Sequence, residues 1–471
     1  MLRKTTFIFI LCLGCVGLFG CSSMAPKYSR PAAPIPDSWP SGAAYNTDSL
    51  PGAATAASLK WRDFFNDEKM QSVIELALQN NRDLRIAALN IEKARAMYGI
   101  QKAEIFPIVG VSAGGSQQRL PADVSGAGKV VTAEQYSVSF GVSSWELDFF
   151  GRVASLKEQA LENYLSTEQA QRSAQISLVS AVANAYLLLA GDLEKLQFSE
   201  KTLQTQSASF NLIKRRYETG IFSELDLRQA QTRVEAARVD VVSNTRAVAL
   251  DQNLLNLLVG QNTPSDSLPS SLAAAGKLLT IAAGLPSDVL LQRPDILQAE
   301  NRLQAANANI GAARADFFPR ITLTTGVGTI SSELSGLFKS GSGTWAFAPR
   351  IDLPIFDFGR RKNNLDAALA ETKIATAQYE KAIQTAFREV SDSLAVLGTA
   401  DNQVKAQESL IKASQQTYRL AELRYQKGVD NYLPTLDAQR SLYAAESGLI
   451  SLRLARVNAL VSLYKALGGG E

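Results

Sequence analysis

The stretch RVASLKEQALENYLSTEQAQRSAQISLVSAVANAYLLLAGDLEKLQFSEKTLQTQSASFNLIKRRYET, residues 152–219, contains no proline and one glycine, Gly191. Ala, Leu, Gln, Ser, Glu and Lys fill it, most of them good helix formers. The helix formers lose little side-chain freedom in a helix, and no stop signal interrupts them. The stop stands at Gly220, directly after Arg215-Arg216-Tyr217-Glu218-Thr219. Cations in the last turn favour a helix C-terminus, and glycine takes the left-handed cap without steric cost. One helix of roughly 68 residues would be on the order of 100 Å long. Two ordinary helices broken at Gly191 are the alternative reading. A second run, 360–427, repeats every feature: no proline, one internal glycine (Gly398), and the ending Arg424-Tyr425-Gln426-Lys427-Gly428. Two such runs point to a duplicated unit.

Local matches extend the duplication. Asn81-Arg82-Asp83-Leu84 answers Arg293-Pro294-Asp295-Ile296, and Ala103-Glu104-Ile105-Phe106-Pro107 answers Ala315-Asp316-Phe317-Phe318-Pro319. Gly99 answers Gly311, Phe150-Gly151-Arg152 answers Phe358-Gly359-Arg360, and Gly260 answers Gly468. Helices are expected at 69–79, 82–105, 223–258 and 433–467. Four stretches alternate in the period-two manner of half-buried strands: 108–116, 136–143, 321–328 and 345–355. Tyr136, Trp145, Phe149, Phe150, Trp345 and Phe347 sit near their ends, where a membrane barrel carries aromatic girdles. The links 119–134 and 331–344 are rich in Gly, Ser, Asp and Lys, which suits loops in water. Each half therefore reads helix, strand, strand, very long helix, tip, returning helix.

Composition excludes several classes of function. The chain holds 48 Lys and Arg against 45 Asp and Glu, three cysteines and no histidine. Near-neutral charge supplies no footprint for nucleic acid. Lack of histidine removes Ser-His-Asp and Cys-His chemistry and the commonest transition-metal ligand. No catalytic residue, metal site or cofactor is expected. Ser125-Gly126-Ala127-Gly128-Lys129 lacks the upstream glycine and following Ser/Thr of a phosphate loop.

The N-terminus reads as a signal peptide, with Arg3 and Lys4 before an apolar run too short to span a membrane comfortably. It ends Leu18-Phe19-Gly20-Cys21, which resembles the bacterial lipoprotein cleavage box. That resemblance makes Cys21 the acylated first residue of the mature chain, carrying palmitate, and Ser22 permits sorting to the outer membrane. The prolines between Pro26 and Pro51 read as an extended tether that cannot bury a core. The expected organisation is signal peptide 1–20, lipidated extended tether 21–60, repeat one 61–260, linker 261–286 and repeat two 287–471.

Geometry then constrains the assembly. Four strands cannot close a membrane barrel, whose smallest members have eight, and open edges are not tolerated in lipid. Several copies must share one barrel: two would supply eight strands and three would supply twelve. The fold class is mainly α with a membrane β-barrel.

The sequence resembles a TolC/OprM-type outer-membrane factor, nearest to the OprM branch. The resemblance rests on Leu18 to Cys21, Trp145-Glu146-Leu147-Asp148-Phe149-Phe150-Gly151-Arg152 and Gly284-Leu285-Pro286-Ser287-Asp288. It rests also on Arg293-Pro294-Asp295-Ile296, Gly311-Ala312-Ala313-Arg314-Ala315-Asp316-Phe317-Phe318-Pro319 and Leu353-Pro354-Ile355-Phe356-Asp357-Phe358-Gly359-Arg360. It implies a homotrimer in the outer membrane, with a barrel of twelve strands continued by a periplasmic tunnel of twelve helices, and an equatorial C-terminal segment. It implies docking to a periplasmic adaptor and an inner-membrane pump of the resistance–nodulation–division type, and a role as the exit duct for drugs and small toxic compounds. An exit duct for type I protein secretion is an alternative. A periplasmic lipoprotein scaffold that does not perforate the membrane is another, of a different class.

The resemblance also places the working residues. The tips at Gly220 and Gly428 would meet the adaptor, and Tyr425, Leu433, Asp437, Arg440 and Asp226 would form the periplasmic gate. Independently, Leu433, Asp437 and Arg440 are spaced i, i+4, i+7, so one helix face presents an apolar residue and two opposite charges.

Overall fold

The computed structural model of the chain describes residues 23–45, 59–279, 281 and 287–469. The expected signal peptide, Cys21 and Gly284-Leu285-Pro286 lie outside them. Repeat one contains α1 (Glu68–Asn80), α2 (Arg82–Ala103), β1 (Val109–Leu120), β2 (Val131–Glu146), α3 (Arg152–Glu218) and α4 (Glu224–Val259). Repeat two contains α5 (Pro294–Ala315), β3 (Arg320–Ser331), β4 (Gly343–Asp352), α6 (Arg360–Gln426) and α7 (Leu433–Ala466). The expected order of elements is therefore observed. β2 and β3 extend at both ends beyond the expected stretches, β1 extends at its end, and β4 begins earlier but stops at Asp352, before Leu353-Pro354-Ile355.

Both long runs are single helices of 67 residues. Gly191 is not a break. A Cβ there would stand 3.2 Å from Leu454, so the glycine lets α7 approach α3. Among the described helices α3 alone is long and apolar enough to cross a membrane, but 67% of its most apolar window is buried in protein. Val179, Val182, Ala183, Tyr186 and Leu187 are core residues.

The chain separates into two compact units. Unit one comprises 23–32, 91–167 and 298–379 of the described residues and holds the sheet. Its strand order is β1-β2-β3-β4, every neighbour antiparallel. The hairpins β1–β2 and β3–β4 belong to the two repeats, and β2–β3 joins them. That junction is close: a Cβ on Gly141 would stand 2.1 Å from the Thr325 carbonyl, so only glycine fits. The register slips at a bulge between Val142 and Trp145, and Ser144 there has φ 54. Both outer strands, β1 and β4, are exposed along almost their whole length. Pro349 is tolerated because β4 is an edge strand. Phe150 departs from the girdle expectation: it stacks on Phe318 at 4.9 Å. Trp345 and Phe347 point into the open, 76% and 63% exposed.

The proline-rich N-terminal segment, read as an extended tether, is fastened along unit one. In unit one Arg30 donates twice to Glu300 on α5, each at 2.7 Å, and Tyr28 Oη adds a third bond at 3.1 Å. Asn307 and Arg314 donate to the carbonyls of Pro26 and Met24, at 2.8 and 3.1 Å. Ser23 Oγ lies 2.8 Å from Ser155 Oγ. Composition excluded a buried core here but not an extended strap satisfied by polar partners.

Unit two comprises 33–45, 59–90, 168–297 and 380–469 of the described residues. Trp39 stacks on Phe387 at 5.0 Å, so the second part of the expected tether is held as well. Phe64 stacks on Tyr464 at 4.1 Å, with Phe65 edge-on beside them. The repeat is legible in individual bonds. Asn81 donates from its side chain to the Leu258 carbonyl at 2.8 Å, and its counterpart Arg293 donates to Ala466, the counterpart of Leu258, at 2.6 Å. Arg293 is buried and also bridges Asp295 and Glu389 at 2.7 and 3.0 Å, which explains that motif as a structural tie.

Candidate functional site

The candidate site lies in unit two, where the helix pairs α3–α4 and α6–α7 turn. Gly220 and Gly428 have φ of 78 and 72, the left-handed conformation expected of them. The amide of Gly220 donates to Tyr217 at 2.9 Å and that of Ile221 to Arg216 at 2.8 Å. Gly428 and Val429 do the same to Tyr425 and Arg424, at 3.0 Å each. Both tips are therefore Schellman caps built from the same residues in both repeats.

The returning helices start differently. Ser223 and Asp226 form a reciprocal capping box: the Asp226 amide donates to Ser223 Oγ at 3.2 Å, and the Ser223 amide donates to Asp226 Oδ2 at 3.1 Å. Asp226, expected as a gate carboxylate, is thus committed to its own helix end. α7 has no side-chain cap and carries Pro434 in its first turn, where the missing N–H costs nothing. Its turn is held instead by Arg424, whose guanidinium grips both Asp430 oxygens, the second bond at 3.0 Å. Those bonds hold the Asp430 carboxyl below the usual carboxylate range.

An aromatic cluster joins the tips. Phe222 stacks on Tyr425 at 5.5 Å, Tyr425 meets Tyr432 at 4.8 Å, and the Arg216 guanidinium covers Phe222 at 5.3 Å. Ile213, Ala230 and Leu436 complete the packing. Tyr425 is half-buried and its hydroxyl is buried without a hydrogen-bond partner. Burial first, and then the Asp226 charge, push that hydroxyl up to about 12.

Leu433, Asp437 and Arg440 do share an open helix face. Leu433 is 51% exposed, and the Asp437 and Arg440 side chains, 60% and 69% exposed, meet at only 3.9 Å. Such a pair contributes about 0–1 kcal/mol. Arg440 also lines a cavity of about 790 Å³ between α3, α4, α6 and α7, facing Arg233 and Glu446. Arg233 donates to the Leu436 carbonyl at 3.2 Å; burial, and then the Arg440 charge, lower its pKa. Sequence reading missed the Arg424–Asp430 pair, Tyr432, Phe222 and Arg233. Ser223-x-x-Asp226 was a readable capping signal. Phe222, Tyr432 and Arg233 depend on how two separate tips meet, and Arg424–Asp430 on how one turn folds back.

Comparison with known proteins is consistent in every part. Residues 73–261 and 285–469 match the model of a family described as outer membrane efflux protein, two segments that coincide with the repeats. The chain is 50% identical over 453 residues to the antibiotic efflux pump outer membrane protein ArpC of Pseudomonas putida, covering 96% of this chain and 93% of that one. Identity is also 50% over 453 residues, with the same coverage of 96% and 93%, to the toluene efflux pump outer membrane protein TtgC, likewise of Pseudomonas putida. The open state of the Neisseria gonorrhoeae MtrE outer membrane channel superposes with a TM-score of 0.84 at 38% identity, covering 95% of this chain and 98% of that chain.

Proposed function

Because the chain belongs to the outer membrane efflux protein family, we propose that three copies form one outer-membrane exit duct for small toxic compounds. The observation that carries this reading is the open four-stranded sheet. Two exposed edges cannot stand in lipid, and three copies would close them into twelve strands. The long helices would continue the barrel as a tunnel of twelve helices on the periplasmic side. Transport through the duct would be passive. A periplasmic adaptor and an inner-membrane resistance–nodulation–division pump would supply the energy and the choice of substrate. The names of the relatives, an antibiotic and a toluene efflux protein, favour small compounds over secreted proteins.

The helix tips are the proposed gate and adaptor-docking surface. Tyr425, Leu433, Asp437 and Arg440 stand on it, while Asp226 acts through the cap it builds. Acyl chains on Cys21 would anchor the chain. The strap supports this, since Ser23, two residues later, is held beside the start of α3 in the unit that carries the sheet. Deleting the gene and measuring export of dyes, antibiotics and secreted proteins tests the reading. Loss of dye and antibiotic export with protein secretion intact is expected. Loss of protein secretion alone would favour the secretion duct, and purified protein that inserts no conductance into a bilayer would favour the scaffold.

A further inference from the structure

The sheet of unit one has two unlike faces, and its ladder fixes which residues share each. Residues opposite one another in an antiparallel pair point to the same side, so the register reads as rows across all four strands. Val111–Phe140–Val327–Trp345 is one row and Val109–Val142–Thr325–Phe347 another. The rows that alternate with them, on the opposite face, are Gly110–Gly141–Gly326–Ala346 and Ser112–Ser139–Gly328–Thr344. The first face is largely apolar and suits lipid. The second presents nothing longer than threonine in these rows.

That changes at the foot of the sheet, where β2 leads into α3, α5 into β3, and β4 into α6. The small-residue face continues through Thr324–Ala348 to the rows Glu146–Thr322–Arg350 and Arg320–Asp352. These four charges are the only ones that the described strands place on that face. Glu146 is anchored: Arg152 grips both its oxygens, at 2.8 and 2.7 Å, and Arg320 stands 3.5 Å away. Arg350 and Asp352 meet at 2.8 Å, with side chains 75% and 48% exposed. A cavity of about 740 Å³ adjoins the foot, lined among others by Glu146, Arg320 and Asp352, so the belt faces space and not a packed core.

We propose that this foot is a charge collar of the duct, and that Arg350 and Asp352 set its balance between cationic and anionic solutes. The collar rests on the duct proposed above, with the small-residue face lining the lumen. Repeated by each copy, the four charges become a ring of alternating sign, the arrangement by which pores discriminate among ions. Two charges of each sign cancel, so the collar supplies a partner for an ammonium and for a carboxylate alike. The glycine, alanine, serine and threonine rows beyond it supply neither. Glu146 is committed to Arg152, which leaves the exposed pair as the adjustable part. Removing one member strands the other. A single uncompensated charge beside the path shifts relative permeability by about fivefold in dilute salt, and by less where salt screens it.

Reversal potentials of the full-length protein in a planar bilayer, under a potassium chloride gradient, test this. Arg350→Gln is expected to raise the cation-to-anion permeability ratio about fivefold over the parent, and Asp352→Asn to lower it by a similar factor. Both shifts are expected to shrink at molar salt, where the Debye length falls to about 3 Å. Glu134→Gln, on the opposite face beside Gln117, is expected to leave the ratio unchanged. Arg350→Cys gives the same reading within one assembled protein: a cationic methanethiosulfonate lowers the ratio, an anionic one raises it, and the parent treated alike does not respond. Conducting variants that keep the parent ratio, or labelled Arg350→Cys that does not respond, overturn the collar and leave the duct standing. Shifts of one sign in both Arg350→Gln and Asp352→Asn, persisting at molar salt, also overturn it. A shift in Glu134→Gln as large as in Asp352→Asn means that the other face lines the path and overturns it too. A parent that inserts no conductance overturns duct and collar together.

Discussion

α2 and α5 are both helices of 22 residues at the same place in their repeats, yet α5 buries residues along its whole length and α2 buries none. Their sequences share a glycine, an ending and a low amphipathicity. The difference lies in their neighbours. α5 has α6 on one side, where Ile310 and Ala313 meet Ala368, and α3 with the N-terminal strap on another. α2 has only its own repeat, represented by the stack of Tyr98 on Tyr164 at 6.4 Å. A duplicated chain thus completes one of its two equivalent surroundings internally and leaves the other open.

Substitution at the paired glycines should break that comparison most severely. Gly311→Leu forces a side chain into Ser155 and the strap at Ala25 and Ser23, where a Cβ alone would already stand at 2.5–2.9 Å. Overpacking of this kind costs about 3 kcal/mol or more, read as a lowered thermal midpoint in detergent and a loosened residue 23–32 segment. Gly99→Leu should leave the single chain folded. Equal destabilisation at both positions would mean that the two helices are not inequivalent.

The strap comes next. Arg30→Ala leaves the buried Glu300 carboxylate without its two charge-assisted bonds. A loss of about 1.5–3 kcal/mol follows, together with new protease cleavage within residues 23–32. Glu300→Gln should lose less, because the amide keeps one acceptor and carries no charge to strand.

At the tips the comparison is between a helix start with a side-chain box and one held by Arg424 and Asp430. Arg424→Ala should raise resting single-channel conductance more than Arg440→Ala, whose exposed 3.9 Å contact can shift the closed state by about fivefold at most. Arg388→Ala, in an exposed pair with Asp392 on α6, should change nothing. Tyr425→Phe removes a hydroxyl with no partner among the described residues. It should leave thermal stability unchanged, and an opening effect would place that partner on another copy.

The smallest effect concerns pH. Asp251 on α4 is pushed up to about 6 by burial and by Asp192, which is itself bound to Lys195 at 3.0 Å. A raised carboxyl favours the folded state below its unfolded value and loses that advantage as pH rises through 6. Asp251→Asn should therefore raise the thermal midpoint at pH 8, raise it less at pH 5, and have little effect below the unfolded carboxyl value. The reverse order would exclude burial as the cause.

Helices were the most legible part of the sequence, because proline-free runs and the glycines at 220 and 428 act through local backbone physics alone. Strands were legible in position but short at their ends: Arg119 and Thr132 continue the β1–β2 ladder although their composition reads as loop. The strap was illegible, since its partners on α5 lie far along the chain and no periodicity connects Arg30 to Glu300. At the tips the resemblance supplied positions, not partners. The resemblance named Asp226 as a gate residue, and the serine three residues before it binds it in a capping box. Arg424 and Asp430 are six apart across a turn, a spacing that no regular element brings together.

The strap also sets an order of events in time. Arg30 and Glu300 are 270 residues apart in sequence, and Asn307 and Pro26 are 281 apart. Contacts of such separation are slow to form because the intervening chain must be closed into a loop first. A polypeptide synthesised and moved from its N-terminus emerges with residues 23–30 long before α5 exists. The N-terminal end therefore stays undocked until α5, the first helix of the second repeat, has arrived, and a chain truncated before Glu300 never locks it. Fastening of the N-terminus thus reports that the first repeat is finished and the second has begun.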